Sequence, residues 1–290
     1  DTMIRAALAV GLTILPVAAV AQAVRPEIGN LRYDEDWRAV CDPARRTELL
    51  DPIKCINVGG DGTLTLGGEV RERFEHVRNP VFGLEGRGDD QVLLHRLLVH
   101  ADLRVGENVR AFVQLGDFRA TTRAFGNGPT DRNALDLTQA FVDLSGGGFT
   151  VRVGRQEIDL GSGRLISIRE GPNVRRAFDG GRGFWQGHGW RVDVLFVQPI
   201  TIERATFDDA TDGRESLWGM YATTPAISGA GKLDLYYLGL RRASAVFAVA
   251  TAREVRHSFG ARWFGRRGAV GWDIEGVVQT GRFGTGRILA

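Results

Sequence analysis

The chain has 290 residues, of which 25% are charged, and its mean hydropathy is −0.13. This average excludes a bundle of membrane helices but suits a membrane β-barrel, in which only alternate residues meet lipid. Lys54 and Lys232 are the only lysines among 37 basic residues, yet the net charge is only +2, which argues against nucleic acid as a partner. Two explanations of the arginine excess stand side by side: a codon bias toward arginine, and a functional need for guanidinium groups.

Residues 1–23 have the pattern of a secretory signal peptide. Arg5 supplies a positive charge, an apolar run follows over residues 6–20, and Ala21-Gln22-Ala23 forms a small-x-small cleavage site. The apolar run is short for a membrane span and contains Pro16. We therefore expect an exported chain.

Residues 24–62 are rich in charge and lack any regular alternation. We interpret them as a periplasmic lead-in that packs beneath or inside the mouth of a barrel. Cys41 and Cys55 lie in this segment. In an oxidising periplasm a disulfide between them is plausible, and two unpaired thiols are the alternative.

From residue 63 to residue 290 the sequence alternates with a period of two, which predicts an antiparallel transmembrane β-barrel. The clearest examples are LTLGGEVRERFEH at 64–76 and VLLHRLLVHADLRV at 92–105, where apolar residues alternate with arginines and carboxylates. We predict about eleven strands, at 64–76, 92–105, 109–118, 136–145, 149–157, within 163–178, and at 189–198, 217–224, 232–240, 255–265 and 270–280.

Several connections in the first half of this region alternate between long and short. Outer-membrane barrels show this asymmetry, with long loops outside the cell and short turns in the periplasm. A soluble β-sandwich would also alternate, so the signal peptide and the loop asymmetry favour the barrel. Because single-chain bacterial barrels have even strand numbers, eleven strands predict an incomplete, C-terminally truncated barrel.

The alternation assigns each side chain to a face. Leu93, Leu97 and Val99 share one face of their strand, whereas Arg96 and His100 lie on the other. The apolar face is expected to meet lipid, and most of the tryptophans Trp185, Trp190, Trp218, Trp263 and Trp272 to form girdles at the membrane interfaces. The predicted inward-facing arginines are Arg71, Arg73, Arg96, Arg110, Arg152 and Arg191.

The densest cationic segment is residues 161–182, GSGRLISIREGPNVRRAFDGGR. If it folds into the lumen, its guanidinium groups would form a selectivity ring for anions. The alternative is a loop in which Arg175 and Arg176 pair with Glu170 and Asp179. The candidate pore-lining residues in this segment are Arg164, Arg169, Arg175 and Arg176.

Enzyme signatures are missing from the sequence. It contains no His-Glu-x-x-His, no Gly-x-Ser-x-Gly and no phosphate-binding loop, so we predict neither a catalytic site nor a cofactor or metal. His95 and His100 fall on opposite faces of their strand and cannot act as neighbouring ligands. Asp208 and Asp209 could serve a glycosidase or bind calcium, but an exposed loop is the simpler interpretation.

Several motifs occur together in the order of a known family. LTLGGEVRERFE, LLHRLLVHADLRV, NVRAFVQLGD, the arginine-rich segment, RHSFGARWFG and WDIEGVVQTGRFG resemble the alginate-export family of outer-membrane proteins, over about residues 31–286. The resemblance implies a monomeric barrel in the bacterial outer membrane, in contact with its lipid, whose arginine-lined pore passes anionic, alginate-like polysaccharide or smaller anions. Relatives have complete barrels with more strands. A soluble secreted β-protein that binds or cleaves acidic glycans is the alternative, and a general porin is a third possibility.

Overall fold

The computed structural model describes residues 25–84 and 88–290. The predicted signal peptide, residues 1–23, lies outside the described residues. None of the helices in the described part of the chain has the length and apolar character needed to cross a membrane. The helices are the α-helix α1 (Asp51–Lys54) and four 3-10 helices, Arg32–Asp34, Arg38–Cys41, Pro43–Arg45 and Val81–Gly83.

The remainder is one antiparallel sheet of 14 strands in the described residues. The strands are β1 (Ile56–Gly59), β2 (Gly62–Val77), β3 (Asp90–Val105), β4 (Val109–Ala120), β5 (Asn133–Gly146), β6 (Phe149–Glu157), β7 (Ala177–Gly187), β8 (Trp190–Thr201), β9 (Ala210–Thr211), β10 (Glu215–Thr223), β11 (Lys232–Phe247), β12 (Ala250–Arg267), β13 (Val270–Phe283) and β14 (Gly286–Leu289). Each strand pairs with the next along the chain, except that β9 pairs only with β8, and β10 also pairs with β8. The all-β antiparallel prediction is confirmed. The sheet has β1 and β14 at its edges and is not closed.

The predicted strand pattern differs from the structure in three details. The strand expected within 163–178 begins only at Ala177 and continues to Gly187 as β7, because residues 158–176 form a connection. Moreover, β1 lies within the segment that was predicted to be a lead-in. The short strands β9 and β14 raise the total above the predicted eleven.

The two ends of the sheet differ in their connections. One end, here called the turn end, carries short turns at 106–108, 147–148, 188–189 and 268–269, with a longer connection at 224–231. The other, here called the loop end, carries longer connections at 121–132, 158–176 and 202–214, together with two tight turns at 248–249 and 284–285. The long-and-short asymmetry is therefore clearest in the first half of the sheet.

Alternate residues of the strands meet different surroundings, as the period of two predicts. In β3, Leu93, Leu97 and Val99 are exposed on one face, whereas Arg96 and His100 are buried on the other. The outer face is broadly apolar, and side chains such as Phe196 and Ile274 are each 60% exposed there. Exposure of so many large apolar side chains on one continuous face is typical of a lipid-facing surface.

Candidate functional site

The connection between β6 and β7, residues 158–176, folds back against the inner face of the sheet, and we call it the lumen loop. Ile158, Leu160 and Ile166 are buried and pack with inward side chains of β7, β8, β10 and β11. Burial of these apolar side chains against the strands stabilises the loop in this position. A loop that joins neighbouring strands thus occupies the interior instead of extending from the rim.

One end of the lumen loop is fastened to β2 and β3 by arginines. Arg96, which has no exposed surface, donates from Nη1 to Glu170 at 2.6 Å and from Nε to the carbonyl of Asn173 at 2.9 Å. Arg71 also donates to Glu170, at 2.8 Å. Charge-assisted hydrogen bonds of this kind are short and strong, and here they connect the loop to two strands of the wall.

Asn173 adds a second fastening at the same place. Its side chain is fully buried, and its amide nitrogen lies within hydrogen-bond distance of three backbone carbonyls. These belong to His95 at 3.0 Å, Arg119 at 3.2 Å and Asp131 at 3.1 Å. A buried amide that meets three backbone acceptors fixes the position of the loop against the ends of β3, β4 and β5.

The other end of the lumen loop reaches strands on the far side of the sheet. Ser162 and Arg164 donate to Glu275 of β13 at 2.8 and 2.6 Å, and Tyr236 of β11 donates to the same carboxylate at 2.6 Å. Because β3 and β13 are far apart in the strand order, one loop contacts both only if the sheet curls around it. The lumen loop therefore crosses the interior and narrows it.

The N-terminal segment, residues 25–55, also enters the interior, from the turn end. Tyr33 packs edge-on against Phe112 and Phe141 and donates to the carbonyl of Glu157 at 2.7 Å. The guanidinium of Arg152 lies 4.2 Å from the Tyr33 ring and 3.7 Å from the Phe141 ring. This segment therefore contacts the inner wall directly.

A disulfide closes part of the N-terminal segment. Cys41 and Cys55 are bonded, so the alternative of two free thiols is wrong. Trp37 and Val40 are buried beside this disulfide. The bond ties the segment to the start of β1, which begins at the next residue.

Lumen loop and N-terminal segment meet in one network of charges. Arg175, almost fully buried, pairs with Glu170, with Glu69 at 3.4 Å and with Glu157 at 3.6 Å, and donates to the carbonyl of Asn30 at 3.0 Å. Burial alone would raise the pKa of Glu170, but hydrogen bonds and charge from Arg175 and Arg96 hold it below its ordinary value. Glu170 is thus ionised, and Arg175 is occupied by carboxylates.

The alternative interpretation of the arginine-rich segment is therefore partly right. Arg175 pairs with Glu170, as that interpretation expected, whereas Asp179 binds Arg155 at 3.0 Å. Among the described residues, the one carboxylate near Arg176 is that of Glu215, at 4.0 Å. The segment both folds into the lumen and is held there by ion pairs.

The ten predicted pore-lining arginines separate into two groups by exposure. Arg96, Arg152 and Arg175 are at least 95% buried and paired with carboxylates, so they brace the interior. The other seven keep accessible surface. Arg71 and Arg73 contact the lumen loop, whereas Arg110 binds Asp102, Arg164 binds Glu275 and Arg191 binds Asp193. Arg176 lies near Glu215, and Arg169 is exposed without an ion pair among the described residues.

At the turn end of the interior lies a cavity of about 520 Å³. Its charged lining comprises six arginines and four carboxylates, so it carries a positive balance. The arginines are Arg38, Arg104, Arg110, Arg152, Arg182 and Arg191, and the acidic residues are Asp34, Asp36, Glu107 and Asp143. Hereafter we call it the vestibule.

Three arginines of the vestibule were not among the predicted site residues. Arg104 follows Arg96 at even spacing in β3, so the alternation that selected Arg96 could have selected it too. Arg182 lies in β7, which was placed too early, within 163–178, and binds Asp193 at 2.6 Å. Arg38 belongs to the N-terminal segment, which was predicted to pack beneath or inside the mouth of the barrel, although none of its residues was selected as a site residue.

A group of carboxylates at the loop end has a structural explanation. The carboxylate oxygens of Asp136, Asp208 and Asp209 approach within 4.8 Å of one another. Asp136 accepts hydrogen bonds from the amides of Asp208 and Asp209 at 3.0 and 3.2 Å, and Asp209 accepts one from Glu203 at 2.8 Å. These bonds fasten residues 202–209 to β5, and we assign no metal to the group.

Comparison with known proteins followed three routes. A search of the curated proteins found no match. Among solved structures, Pseudomonas aeruginosa OccK2 (OpdF) in complex with glucuronate matches with a TM-score of 0.43 and 16% identity, over 77% of this chain and 62% of that chain. The present chain thus spans less than two thirds of that protein. The family model for alginate export matches residues 63–290, which include β3 to β14 and all but the first residue of β2. The chain therefore belongs to the alginate export family and is a β-barrel protein of the bacterial outer membrane.

Proposed function

We propose that the chain forms a monomeric outer-membrane channel that passes anionic, alginate-like polysaccharide or smaller anions along an arginine-bearing inner wall. Family membership supports transport, and the observation that carries the choice of anions is the vestibule. Six arginines line it against four carboxylates. A passage whose charged walls have a positive balance concentrates anions and repels cations.

The pairing of these arginines suits passage better than tight binding. A guanidinium has five N–H donors, and Arg191 uses only Nε and Nη2 on Asp193, at 2.8 and 3.2 Å. The remaining N–H groups can bind a passing carboxylate while Asp193 offsets part of the charge. Uronate polymers carry one carboxylate per sugar, so successive weak contacts of this kind can hand a chain along.

The lumen loop gives the channel a narrow section. Arg169 is exposed, and Arg176 has no carboxylate closer than 4.0 Å among the described residues, so both guanidinium groups remain available to an anion. Burial is the largest influence on Arg176 and lowers its pKa, and the charge of Arg169 lowers it further. An anion that enters here would relieve this repulsion.

A soluble protein that binds or cleaves acidic glycans is a weaker candidate. It would bury its apolar face in a core, whereas Val70, Val153 and Phe196 are each at least 60% exposed on the outer face. Lipid of the outer membrane is the partner that this apolar surface fits.

Planar-bilayer recordings test the proposal. In a salt gradient the reversal potential of the wild-type protein should indicate anion preference, and oligouronates should block the current while neutral oligosaccharides of equal length should not. Substituting Arg176→Gln and Arg191→Gln together should reduce the preference by about tenfold, a change of roughly 1.4 kcal/mol in relative permeation. Arg119→Gln, on the outer face, is the control and should leave selectivity unchanged. A cation-selective wild type, or an unaltered double variant, would refute the proposal.

A further inference from the structure

Four arginines stand together on one face of β11 to β14, near the loop end. Arg241 pairs in register with Val255, Val255 with Arg282, and Arg282 with Arg287. Residues directly opposite each other in neighbouring strands point to the same side of a sheet. Arg253 lies two residues from Val255 and so shares that side. We call Arg241, Arg253, Arg282 and Arg287 the outer arginine row.

The row lies on the outer face. The residues that alternate with it point inward, since Arg242 and Arg256 pair with the fully buried Glu254 at 2.5 and 2.7 Å. All four arginines of the row are exposed, and none forms an ion pair or a hydrogen bond through its side chain with another described residue. The interior arginines Arg96, Arg152 and Arg175, in contrast, are buried and paired with carboxylates.

The height of the row can be measured against the tryptophans of the same strands. Trp263 and Trp272 lie near the turn end on the outer face, with ring centroids 5.5 Å apart. Ten residues separate Trp263 from Arg253, and ten separate Trp272 from Arg282. Ten residues of a strand tilted by about 40° rise roughly 25 Å, which is the height of the apolar band of an outer-membrane barrel. Exposed apolar side chains fill the interval, among them Phe259, Ile274 and Val278.

The short turns of outer-membrane barrels lie in the periplasm, so the turn end with Trp263 and Trp272 is taken as the periplasmic side. The row then lies one membrane thickness away, at the level of the lipid head groups of the outer leaflet. On β2 to β4, at the same height, basic side chains of the outer face have acidic partners: His95 pairs with Glu72, and Arg119 binds Asp117 at 2.6 Å. On β10 to β14, in contrast, the described residues place no carboxylate on the outer face. Four positive charges at this height therefore have no ion-pair or hydrogen-bond partner in the part of the chain that the structure describes.

A cavity of about 800 Å³ adjoins the row. Arg253, Arg282 and Arg287 line it together with the apolar Val255, Ile288 and Leu289. A site of this composition suits a molecule that is anionic at one end and apolar at the other. Arginine binds phosphate through two parallel hydrogen bonds, and a basic cluster at a membrane surface attracts anionic lipid head groups.

We propose that the outer arginine row binds the phosphate groups of lipid A, the phosphorylated lipid of the outer leaflet. The guanidinium groups hold the phosphates, and the acyl chains lie along the apolar band below them. The proposal concerns the outer surface and does not depend on what passes through the interior.

The test uses the protein purified from outer membranes in detergent. Binding of bis-phosphorylated lipid A, and of the same lipid with both phosphates removed, is measured by native mass spectrometry. The double variant Arg241→Gln with Arg282→Gln should bind the phosphorylated lipid about tenfold more weakly. Arg119→Gln, at the same height on the other side of the sheet, is the matched control and should bind as the wild type does. The dephosphorylated lipid should bind weakly to all three proteins.

Three results would overturn the proposal. They are unchanged affinity in the double variant, equal affinity for the two lipids, and displacement of lipid A by excess inorganic phosphate, which would indicate a site for free anions. Heat-dependent mobility in gels reports whether each variant is folded. Should the double variant fail to fold, the single substitutions Arg282→Gln and Arg287→Gln provide the same comparison, since both side chains are exposed and unpaired.

Discussion

The guanidinium of Arg96 lies 2.6 Å from the carboxylate of Glu170, although 74 residues separate them in the chain. Arg96 has no exposed surface, so the pair connects β3 to the lumen loop within the protein. Without Arg96 the carbonyls of Asn173 and Pro172 would lose a buried donor, and Glu170 would keep Arg71 and Arg175 as its partners. The position of the loop therefore depends on this contact.

Arg96→Gln should both destabilise the protein and release the lumen loop. Loss of this buried donor, with Glu170 still paired to Arg71 and Arg175, should lower the free energy of unfolding by about 1–3 kcal/mol. Urea unfolding measures the loss of stability, and single-channel recordings should show a larger and noisier conductance. Arg169→Gln, exposed in the same loop, should change stability by less than about 0.5 kcal/mol. Equal behaviour of the two variants would contradict the role assigned to Arg96.

Gly161→Ala should disturb the other end of the loop. Gly161 has φ +63°, and a Cβ at this position would lie 2.0 Å from the hydroxyl of Tyr221, whose oxygen is fixed by a 2.7 Å hydrogen bond to Asp234. Left-handed backbone at a residue other than glycine costs on the order of 1 kcal/mol, before the steric clash is added. Thermal unfolding should therefore shift downward. The control is Gly171→Ala in the same loop, because no atom lies within 4 Å of the Cβ it would add; an equal shift there would remove the steric explanation.

The attachment of residues 202–209 to β5 should weaken as pH rises. Burial first, and then the charge of Asp136, raise the pKa of Asp209 from 3.8 to about 6, despite hydrogen bonds from Glu203 and Asn133 and the charge of Arg155. The folded chain then binds more protons than the unfolded chain between these values, so the stabilisation is complete below pH 3.8 and is lost as pH rises through about 6.

Hydrogen exchange of the amides in residues 202–209, corrected for the intrinsic effect of pH, checks this prediction. Protection of these amides against exchange should fall between pH 4 and pH 6, because Asp209 loses its proton as pH approaches its raised pKa of about 6. In Asp209→Asn the protection should no longer change over this interval. A wild-type loop whose protection stayed constant would show that Asp209 does not titrate there.

Alternation in the sequence predicts the faces of the strands because it records two different environments. Leu97 and Arg96 are neighbours in the chain, yet one meets the outside and the other is fully buried, and any shift of register by one residue would exchange them. Large apolar and charged side chains at alternate positions therefore identify β3 and β8 without any knowledge of the fold.

Segments without such contrast could not be placed. In β7 the sequence AFDGGRGFWQG has four glycines, which indicate neither face, so the strand was placed too early, within 163–178. The ion pairs that hold the lumen loop could not be predicted either. Arg164 and Glu275 are 111 residues apart, and nothing in the sequence selects one carboxylate from the many available. Such partners are determined by where the loop passes, which depends on the curvature of the whole sheet.

The crossing of the lumen loop also bears on the width of the barrel. Pairing between strands fixes their spacing but leaves the curvature of an antiparallel sheet free to vary, and the loop joins two distant parts of the wall, through Glu170 on one side and Glu275 on the other. The loop therefore connects these two parts of the wall across the interior, and its 19 residues from 158 to 176 limit how far apart they can lie.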